Sequence, residues 1–438
     1  MKNESNRICY LKKLGIMTHI LIKNVGPVKN VEFDLNKINV FMGPQSSGKS
    51  TIAKIVSYCS WYEKKAILED MAPKYFYSEL LEFHNLEDNY FCNESYIEYR
   101  SNNCRIVFKG SDKDNVRINI IVDKDNVFRN ERIEYIPAER NFVTIPGIGK
   151  YNESNDNALG FLYDWFDAKQ EITKQLKYKL PLISLNGVSY YYDKDNNRDT
   201  IVLNDGKELL LRHVSSGLIS VTPLLIVYNY VLTRIYQKKR IKSPFETINL
   251  KNKIEKMKSD KVLENYSEMM NSMQKLEIAN KEVADVVLPA IQKEFVKFLG
   301  FDSDYNYTKV IIEEPELNLF PKTQQELVYY MLSVLNSDER DHQLVLTTHS
   351  PYILFALNNC MMGKLVEKNI PKDVFESVAE HRASWISPKE VGIYEIEDGK
   401  IRCIQDEDGI IEDNYLNKAY KDNTAEYLSL LNYYEDEK

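Results

Sequence analysis

Residues 43–50 have the types and the spacing of a phosphate-binding loop. They are Gly-Pro-Gln-Ser-Ser-Gly-Lys-Ser and fit the pattern G-x-x-x-x-G-K-[ST] at every fixed position. The glycines let backbone N–H groups fold around the β- and γ-phosphates of a nucleotide, Lys49 adds a point charge, and the Ser50 hydroxyl suits Mg²⁺. The residues predicted to bind the phosphates are Gly43, Pro44, Gln45, Ser46, Ser47, Gly48, Lys49, Ser50 and Thr51.

Two carboxylates follow an apolar run much further along the chain. Residues 309–312 are Lys-Val-Ile-Ile, and Glu313 and Glu314 come directly after them. If this run is a parallel strand, its acids lie at the carboxyl edge, where open α/β sheets bind their ligands. We therefore expect Glu313 to hold Mg²⁺ and Glu314 to be the general base that orients the attacking water. We expect Glu316 to be a rim or dimer-contact residue rather than a third catalytic acid.

A second strand-like run, residues 343–348, ends before His349. The spacing between Glu314 and His349 leaves room for one helix, residues 321–335, as in a right-handed βαβ unit. A histidine at this strand end can reach the γ-phosphate, so His349 is predicted to be catalytic together with Glu314 and Lys49. The remaining histidines are interpreted as structural or surface residues; they are His19, His84, His213, His342 and His381.

A second candidate anion site consists of Ser215, Ser216 and Gly217, which precede an apolar stretch, residues 218–232, that is predicted to be helical. Small residues at the start of a helix can bind an anion through free N–H groups. A single nucleotide pocket does not need two such sites, whereas a head-to-tail dimer does. We call residues 215–217 the signature loop and predict that it contacts the γ-phosphate bound by a second copy of the chain.

The elements that must position these residues follow from apolar periodicity and turn residues. The segments predicted to be strands or to consist of strands are 19–23, 31–35, 38–42, the β meander 90–136, 182–212 and a hairpin around 397–399. The segments predicted to be helical are 51–62, 161–176 and an insertion, 245–300, rich in Lys, Glu, Met and Asn.

The composition limits the class of protein. The chain has 438 residues, a net charge of −8 and 43 % hydrophobic residues, which excludes a disordered, collagen-like or purely coiled-coil protein. The acidic balance indicates that any nucleic-acid contact needs a local basic patch or a partner. Six cysteines without a C-x-x-C pair fit a reducing compartment. Residues 218–232 are too short and too polar to span a bilayer, so we expect a cytoplasmic protein without membrane contact.

Four stretches carry a resemblance to a known family: Tyr135–Arg140 (YIPAER), Ser215–Gly217 (SSG), Ile311–Pro321 (IIEEPELNLFP) and Leu346–Pro351 (LTTHSP). Together with the phosphate loop, their order resembles that of ATP-binding-cassette (ABC-type) ATPases. In detail it is similar to the OLD-type (overcoming lysogenization defect) AAA/ABC ATPases. The resemblance implies an α/β fold: an ABC-type P-loop NTPase with a mixed sheet, a β-rich subdomain and a helical insertion.

The predicted domains are a leader (1–16), an N-terminal ATPase half (17–244), the insertion (245–300) and a C-terminal half (301–438). The resemblance implies ATP and Mg²⁺ as ligands, hydrolysis to ADP and phosphate, and a homodimer or higher oligomer with composite sites. Members often work in bacterial anti-phage or toxin–antitoxin-like systems beside a nuclease, which favours a sensing or gating ATPase with a separate effector nuclease. By position, Glu139 and Arg140 are candidate contacts in the loop where cassette ATPases carry a glutamine.

Three alternatives stay open at this point. An SMC/RecF-like DNA-repair ATPase would use its insertion for a DNA-binding lobe or a coiled coil, and residues 245–300 are far too few for a long coiled coil. A transporter cassette would carry Leu-Ser-Gly-Gly-Gln where this chain has Val-Ser-Ser-Gly-Leu at 214–218. A metal nuclease could use Asp406 and Asp408, but these acids are predicted to lie in a solvated turn. The sequence names neither the trigger nor the nucleic acid.

Overall fold

A computed structural model of the chain describes residues 18–69, 76–84, 86–110, 116–120, 129–148, 157–237, 305–431 and 433. The expected leader, 1–16, and the expected helical insertion, 245–300, lie outside these described residues. The proposed domain boundaries therefore stay predictions.

The described residues form fifteen strands and eight α-helices. The strands are β1 (Thr18–Val25), β2 (Val28–Leu35), β3 (Ile38–Met42), β4 (Phe91–Arg100), β5 (Cys104–Lys109), β6 (Val116–Ile120), β7 (Glu131–Ile136), β8 (Tyr178–Lys179), β9 (Ser189–Asp193), β10 (Arg198–Val202), β11 (Glu208–Leu210), β12 (Tyr307–Glu313), β13 (Gln343–Thr348), β14 (Val391–Glu397) and β15 (Lys400–Cys403). The helices are α1 (Lys49–Glu69), α2 (Phe76–Phe83), α3 (Asn157–Lys169), α4 (Ser216–Leu232), α5 (Pro321–Leu335), α6 (Pro351–Val366), α7 (Phe375–Val378) and α8 (Tyr415–Leu431).

One mixed sheet of eleven strands organises the chain, in the order β6-β5-β4-β1-β2-β15-β14-β3-β13-β12-β7. One end of the sheet is parallel, because β14, β3, β13, β12 and β7 run in one direction, whereas β6, β5, β4, β1 and β2 at the other end pair antiparallel. A second antiparallel sheet has the order β11-β10-β9-β8. Strands from both sequence halves thus share the large sheet.

The prediction that residues 90–136 form one β meander is wrong for its last strand, β7. Only β4, β5 and β6 continue the antiparallel run from β1, whereas β7 pairs in parallel with β12 at the other end of the sheet. The physical reason is burial on both faces, since Tyr135 and Ile136 enter different hydrophobic cores. Parallel strands are typically covered on both sides in this way.

The two cores lie on opposite faces of the sheet. In β3, the alternating side chains of Ile38, Val40 and Met42 face one core and Phe41 faces the other. Helices α3 to α6 supply the first core, and α1 and α2 supply the second. This sandwich fixes the carboxyl ends of the parallel strands as one exposed edge.

Helix α4 is central to the first core. The segment Ser216–Tyr236 is, among the described residues, the one helical stretch long and apolar enough to cross a membrane by length and composition. Eleven side chains of α4 are nevertheless buried within the protein, as in the core helix of a globular domain. Its apolar character is explained by packing.

Helix α3 ends earlier than its apolar pattern indicated. The prediction was a helix over 161–176, but the helix covers Asn157–Lys169. The Lys169 ammonium contacts both carboxylate oxygens of Asp199 on β10, at 3.0 and 3.1 Å. The carbonyl of Ile172 then accepts the N–H of Tyr192 at 2.7 Å. Tertiary contacts with the small sheet end this helix.

Candidate functional site

The carboxyl ends of three neighbouring parallel strands meet at one edge of the sheet. Met42 at the end of β3 pairs with Thr348 of β13, and Thr347 pairs with Glu313 of β12. The phosphate loop, His349 and the two acids follow these strand ends directly. The structure thus brings Lys49, Glu314 and His349 to the same edge, as the sequence predicted; their roles stay predictions.

The phosphate loop depends on its two glycines. Gly43 has φ +156° and Gly48 has φ +107°, both in the region that favours glycine. A Cβ on Gly43 would lie 2.3 Å from the carbonyl oxygen of Ile396, and one on Gly48 would lie 2.8 Å from Cγ2 of Val28. The loop therefore wraps tightly before α1 begins at Lys49. Its exposed residues are Pro44, Gln45, Ser46 and Ser50.

The Lys49 ammonium turns back onto its own loop. Its Nζ donates to the carbonyl of Gly43 at 3.0 Å and to the carbonyl of Pro44 at 2.8 Å. Only 5 % of the residue is exposed. Burial lowers the pKa of Lys49 to about 8, against the opposing attraction of Glu314 and Glu316. Lys49 must leave these carbonyls to contact a phosphate.

Glu313 and Glu314 point to different surroundings. Oε1 of Glu313 accepts the hydroxyl of Tyr135 at 2.7 Å, and the residue is buried. Glu314 is half-buried and has φ +44°, unusual for a residue other than glycine. Such a conformation costs about 1–3 kcal/mol and persists only where neighbouring contacts enforce it. One of these contacts is its N–H, which donates to the carbonyl of Thr347 at 3.0 Å.

His349 lies beside Glu314, with 3.4 Å between Nε2 and Oε1. The hydrogen bond from His349 lowers the pKa of Glu314, and the attraction of His349, Lys49 and Arg140 adds to this effect. Glu314 is therefore an ionised carboxylate at neutral pH, as a general base must be. The arrangement can accept a proton from water and hold the imidazole in a fixed orientation.

The Glu316 carboxylate points inward to the end of β13, which differs from the rim position that we expected. Its Oε1 accepts the hydroxyl of Thr348 at 2.8 Å and the N–H of His349 at 2.7 Å. Burial raises the pKa of Glu316. The acidic turn, residues 313–319, folds back against the end of β13. Glu316 therefore fixes the backbone from which His349 projects.

Arg140 is fully buried and contacts the protein backbone. Its guanidinium donates to five carbonyls at 2.9–3.3 Å, those of Pro137, Ser220, Glu313, Glu314 and Pro315. Burial lowers its pKa to about 10, against the attraction of the surrounding glutamates. Glu139 is exposed. The Arg140 side chain is thus directed at protein carbonyls, which the sequence pattern did not indicate.

The signature loop begins α4. Ser215 is the N-cap residue, and its Oγ accepts the N–H of Leu218 at 3.5 Å. A Cβ on Gly217 would lie 2.9 Å from the carbonyl oxygen of Asn318, so the helix start packs against the acidic turn. Ser215 and Ser216 are exposed. Within the described part of the chain, no hydrogen bond or ion pair joins residues 215–217 to residues 43–51.

Tyr415 is a contact that the sequence did not reveal. Its hydroxyl donates to the carbonyl of Gly43 at 3.2 Å, and its N–H donates to Oε1 of Glu395 at 2.6 Å. Burial raises the pKa of Tyr415 to about 12. The first turn of α8 thus contacts the phosphate loop, while none of the residues of α8 is buried. No local motif signals a contact between residues this far apart in the chain.

The donors at this edge fit Mg²⁺ held together with a nucleotide. Mg²⁺ prefers oxygen ligands and normally shares a few protein groups with substrate phosphates and water. Ser50 and Glu313 supply a hydroxyl and a carboxylate. No group of three or more His, Cys, Asp or Glu that could hold a metal occurs in the residues described. Asp406 lies in a turn, where its carboxylate accepts the N–H of Ile410 at 2.8 Å.

Comparisons with known proteins agree with this architecture. Residues 19–300 match a family model described as an AAA domain, and residues 297–354 match one described as an AAA ATPase domain. No curated protein sequence matches the chain. The expected mixed α/β fold of a P-loop NTPase is confirmed.

The similar solved structures include an SMC head domain from Thermotoga maritima, with 8 % identity, a TM-score of 0.36, and coverage of 89 % of this chain and 99 % of that one. The recombination mediator RecF has 11 % identity, a TM-score of 0.30, and coverage of 89 % and 98 %. The bacterial ABC transporter cassette MJ0796, described as dimeric, has 12 % identity, a TM-score of 0.27, and coverage of 87 % and 96 %.

Proposed function

Since this chain belongs to the AAA domain family, we propose that it binds ATP with Mg²⁺ and hydrolyses ATP to ADP and phosphate. The observation that carries the proposal is the convergence of Lys49, Glu314 and His349 at the carboxyl ends of adjacent parallel strands. Ligands of open α/β sheets bind at such an edge. Glu314, which lies 3.4 Å from His349, would supply a general base at the same edge as the phosphate loop.

In this proposal each residue has a definite task. The N–H groups of residues 43–51, apart from Pro44, which has none, bind the phosphates, and Lys49 exchanges its loop carbonyls for phosphate oxygens. Ser50 and Glu313 would hold Mg²⁺, which when bound neutralises phosphate charge. Glu314 accepts a proton from the attacking water, and His349 contacts the γ-phosphate while fixing the Glu314 carboxylate.

We further propose that the active form is a homodimer or higher oligomer. Support comes from the exposed Ser215 and Ser216 at the start of α4, which are not joined to the phosphate loop of the same chain within the described residues. A second copy would bring its signature loop to the bound γ-phosphate. Two composite sites would then form in each dimer.

The first experiment separates nucleotide binding from fold. Lys49→Ala should weaken ATP binding by at least about 100-fold, since it removes the lysine that the proposal assigns to the phosphates. Lys23→Ala, an exposed position on β1, is the matched control and should bind like the wild type. Titration of both variants with a fluorescent ATP analogue measures the difference. Equal affinities would contradict the proposed site.

The second experiment tests the base. Glu314→Gln should bind ATP, lose hydrolysis by about 100-fold or more, and accumulate as an ATP-bound dimer. Glu407→Gln, in an exposed turn, is the control. Phosphate release and mass by light scattering give the two readouts. A Glu314→Gln protein that hydrolyses ATP at the wild-type rate would overturn the assignment.

We propose that this cytoplasmic ATPase senses a trigger or gates a separate effector nuclease in an anti-phage system. The support is the resemblance carried by residues 135–140, 215–217, 311–321 and 346–351. Purified protein with Mg²⁺ or Mn²⁺ should then leave plasmid DNA uncut. Cutting that is lost in Asp406→Ala would instead make the chain its own nuclease.

A duplex DNA titration tests the DNA-repair alternative. Affinity that falls steeply between low and physiological salt indicates many phosphate contacts. Such binding would favour an SMC/RecF-like ATPase over a gating ATPase. We expect no such salt-dependent binding by the isolated chain, given its net charge of −8.

A further inference from the structure

Arg140 connects two parts of the molecule that have different tasks in the proposed reaction. On one side its guanidinium donates to the carbonyls of Glu313, Glu314 and Pro315, at 3.0, 2.9 and 3.3 Å. On the other side its Nε donates to the carbonyl of Ser220, in the second turn of α4, at 3.2 Å. One planar side chain therefore holds the acidic turn against the helix that carries the signature loop.

A second contact joins the same two elements. Gly217 lies so close to the acidic turn that a Cβ would be 2.9 Å from the carbonyl oxygen of Asn318. The start of α4 is thus fixed to residues 313–318 at two points, by close packing at Gly217 and by Arg140 at Ser220. A shift of the signature loop cannot leave the acidic turn unchanged while both contacts persist.

The conformation of Glu314 makes this connection relevant to chemistry. Its φ of +44° is strained for a residue with a side chain. Arg140 binds the carbonyls on both sides of the Glu314 Cα, those of Glu313 and Glu314 themselves. The Arg140 guanidinium therefore helps to set the direction in which the Glu314 carboxylate projects.

We propose that Arg140 is a positioning residue that couples the general base of a chain's own nucleotide site to the signature helix that the same chain offers to its partner's nucleotide. This inference rests on the proposed ATPase dimer. The five contacts of Arg140 are with protein carbonyls, so it would act through Glu314 and α4. In a dimer, occupation of one composite site then alters the base at the other.

The geometry explains why an arginine occupies this position. Arginine has five N–H donors in a rigid plane, whereas lysine has three donors on one point charge. Five carbonyls from three separate segments surround Arg140. Lysine could keep the charge and lose the simultaneous contacts to Ser220 and to the acidic turn.

The test is Arg140→Lys in the full-length protein, with four readouts: ATP affinity, kcat, KM and the Hill coefficient in ATP. Wild-type hydrolysis should be cooperative, with a Hill coefficient above about 1. The variant should keep ATP affinity within about twofold, because no contact of Arg140 reaches the phosphate loop. Its kcat should fall by about 100-fold, as expected for a base displaced by roughly 1 Å. Its Hill coefficient should fall to about 1.

The matched control is Arg132→Lys. Arg132 lies on β7, eight residues before Arg140, and forms an ion pair with Asp164. It pairs in register with Thr308, at the opposite end of β12 from the acids. This variant should keep the kcat and the Hill coefficient of the wild type. A purely structural role for Arg140 would lower the unfolding midpoint and the active fraction while leaving KM and the Hill coefficient unchanged.

Three results would overturn the coupling: unchanged cooperativity in a folded Arg140→Lys protein, equal losses of affinity and kcat, or a non-cooperative wild type. If the lysine variant does not fold, Arg140→Gln is measured in the same way, since a neutral amide leaves no unpartnered charge buried. The same three results would then overturn the coupling.

If Lys49→Ala binds ATP normally, the ATPase proposal itself fails. If Lys49→Ala and Glu314→Gln behave as expected and Arg140→Lys resembles the wild type, only the coupling fails.

Discussion

The phosphate loop contains one buried cation, Lys49, and the acidic turn is bound by another, Arg140, and the two cations are held in opposite ways. Lys49 has two close carbonyl partners, both within its own loop. Arg140 has five carbonyl partners, spread over three segments of the chain. Burial lowers the pKa of Lys49 to about 8 and that of Arg140 to about 10.

This difference indicates that Lys49 can move when a nucleotide binds, whereas Arg140 keeps its position. A lysine on a flexible stem can release loop carbonyls and take phosphate oxygens in their place. An arginine whose planar group bridges several segments cannot move without disturbing all of them. The site therefore combines an adaptable ligand-binding side with a rigid side that presents Glu314.

The largest expected effect distinguishes the two cations by stability. Arg140→Met should lower the free energy of unfolding by about 3–5 kcal/mol, because five buried carbonyls lose their donor. Lys49→Met should not lower it at neutral pH, since burial already disfavours the Lys49 ammonium. Urea unfolding of both variants measures the contrast. Equal destabilisation would remove the distinction between a movable and a fixed cation.

The pH dependence of ATP binding is the next largest effect. If the charged form of Lys49 binds phosphate as proposed, the affinity for ATP should be full below the pKa of Lys49, about 8, and should fall as the pH rises through that value. One pH unit above the pKa, the loss should be about tenfold. Lys49→Arg, which stays charged, should show a flat profile over this range. A wild-type profile equally flat up to pH 9 would contradict the role of Lys49.

The acid limb of kcat should report the pairing of Glu314 with His349. The His349 hydrogen bond lowers the pKa of Glu314, so the base stays ionised to a lower pH than an ordinary glutamate. His349→Ala should therefore move the acid limb to higher pH, in addition to lowering kcat. His19→Ala, on β1, should leave the limb in place. An unmoved limb in the His349 variant would mean that the pair does not control the base.

The smallest expected effect concerns Tyr415, which contacts the same Gly43 carbonyl as Lys49. Tyr415→Phe removes one hydrogen bond, worth about 0.5–1.5 kcal/mol, so ATP affinity should fall by about 2- to 10-fold. Tyr420→Phe, at an exposed position of the same helix, should not change it. Isothermal titration of the two variants would resolve the difference. Tighter binding by Tyr415→Phe would mean that α8 opposes nucleotide binding.

The features that could be predicted from the sequence are those that short-range rules control. The glycine spacing of residues 43–50 dictates the loop backbone, and the apolar runs before Glu313 and His349 dictate buried strands. Parallel strands place their carboxyl ends at one edge, so strand order along the chain was sufficient to predict that Lys49, Glu314 and His349 converge.

The contacts between distant segments depend on how the sheet and the helices pack. Arg140 reaches Glu313 across 173 residues, and Tyr415 reaches Gly43 across 372. Glu316 turns inward, and β7 leaves the meander to pair with β12. In each case the residue type allows several partners, and the packing of the sheet and helices selects one. A buried arginine must satisfy its donors with whatever acceptors the fold places beside it.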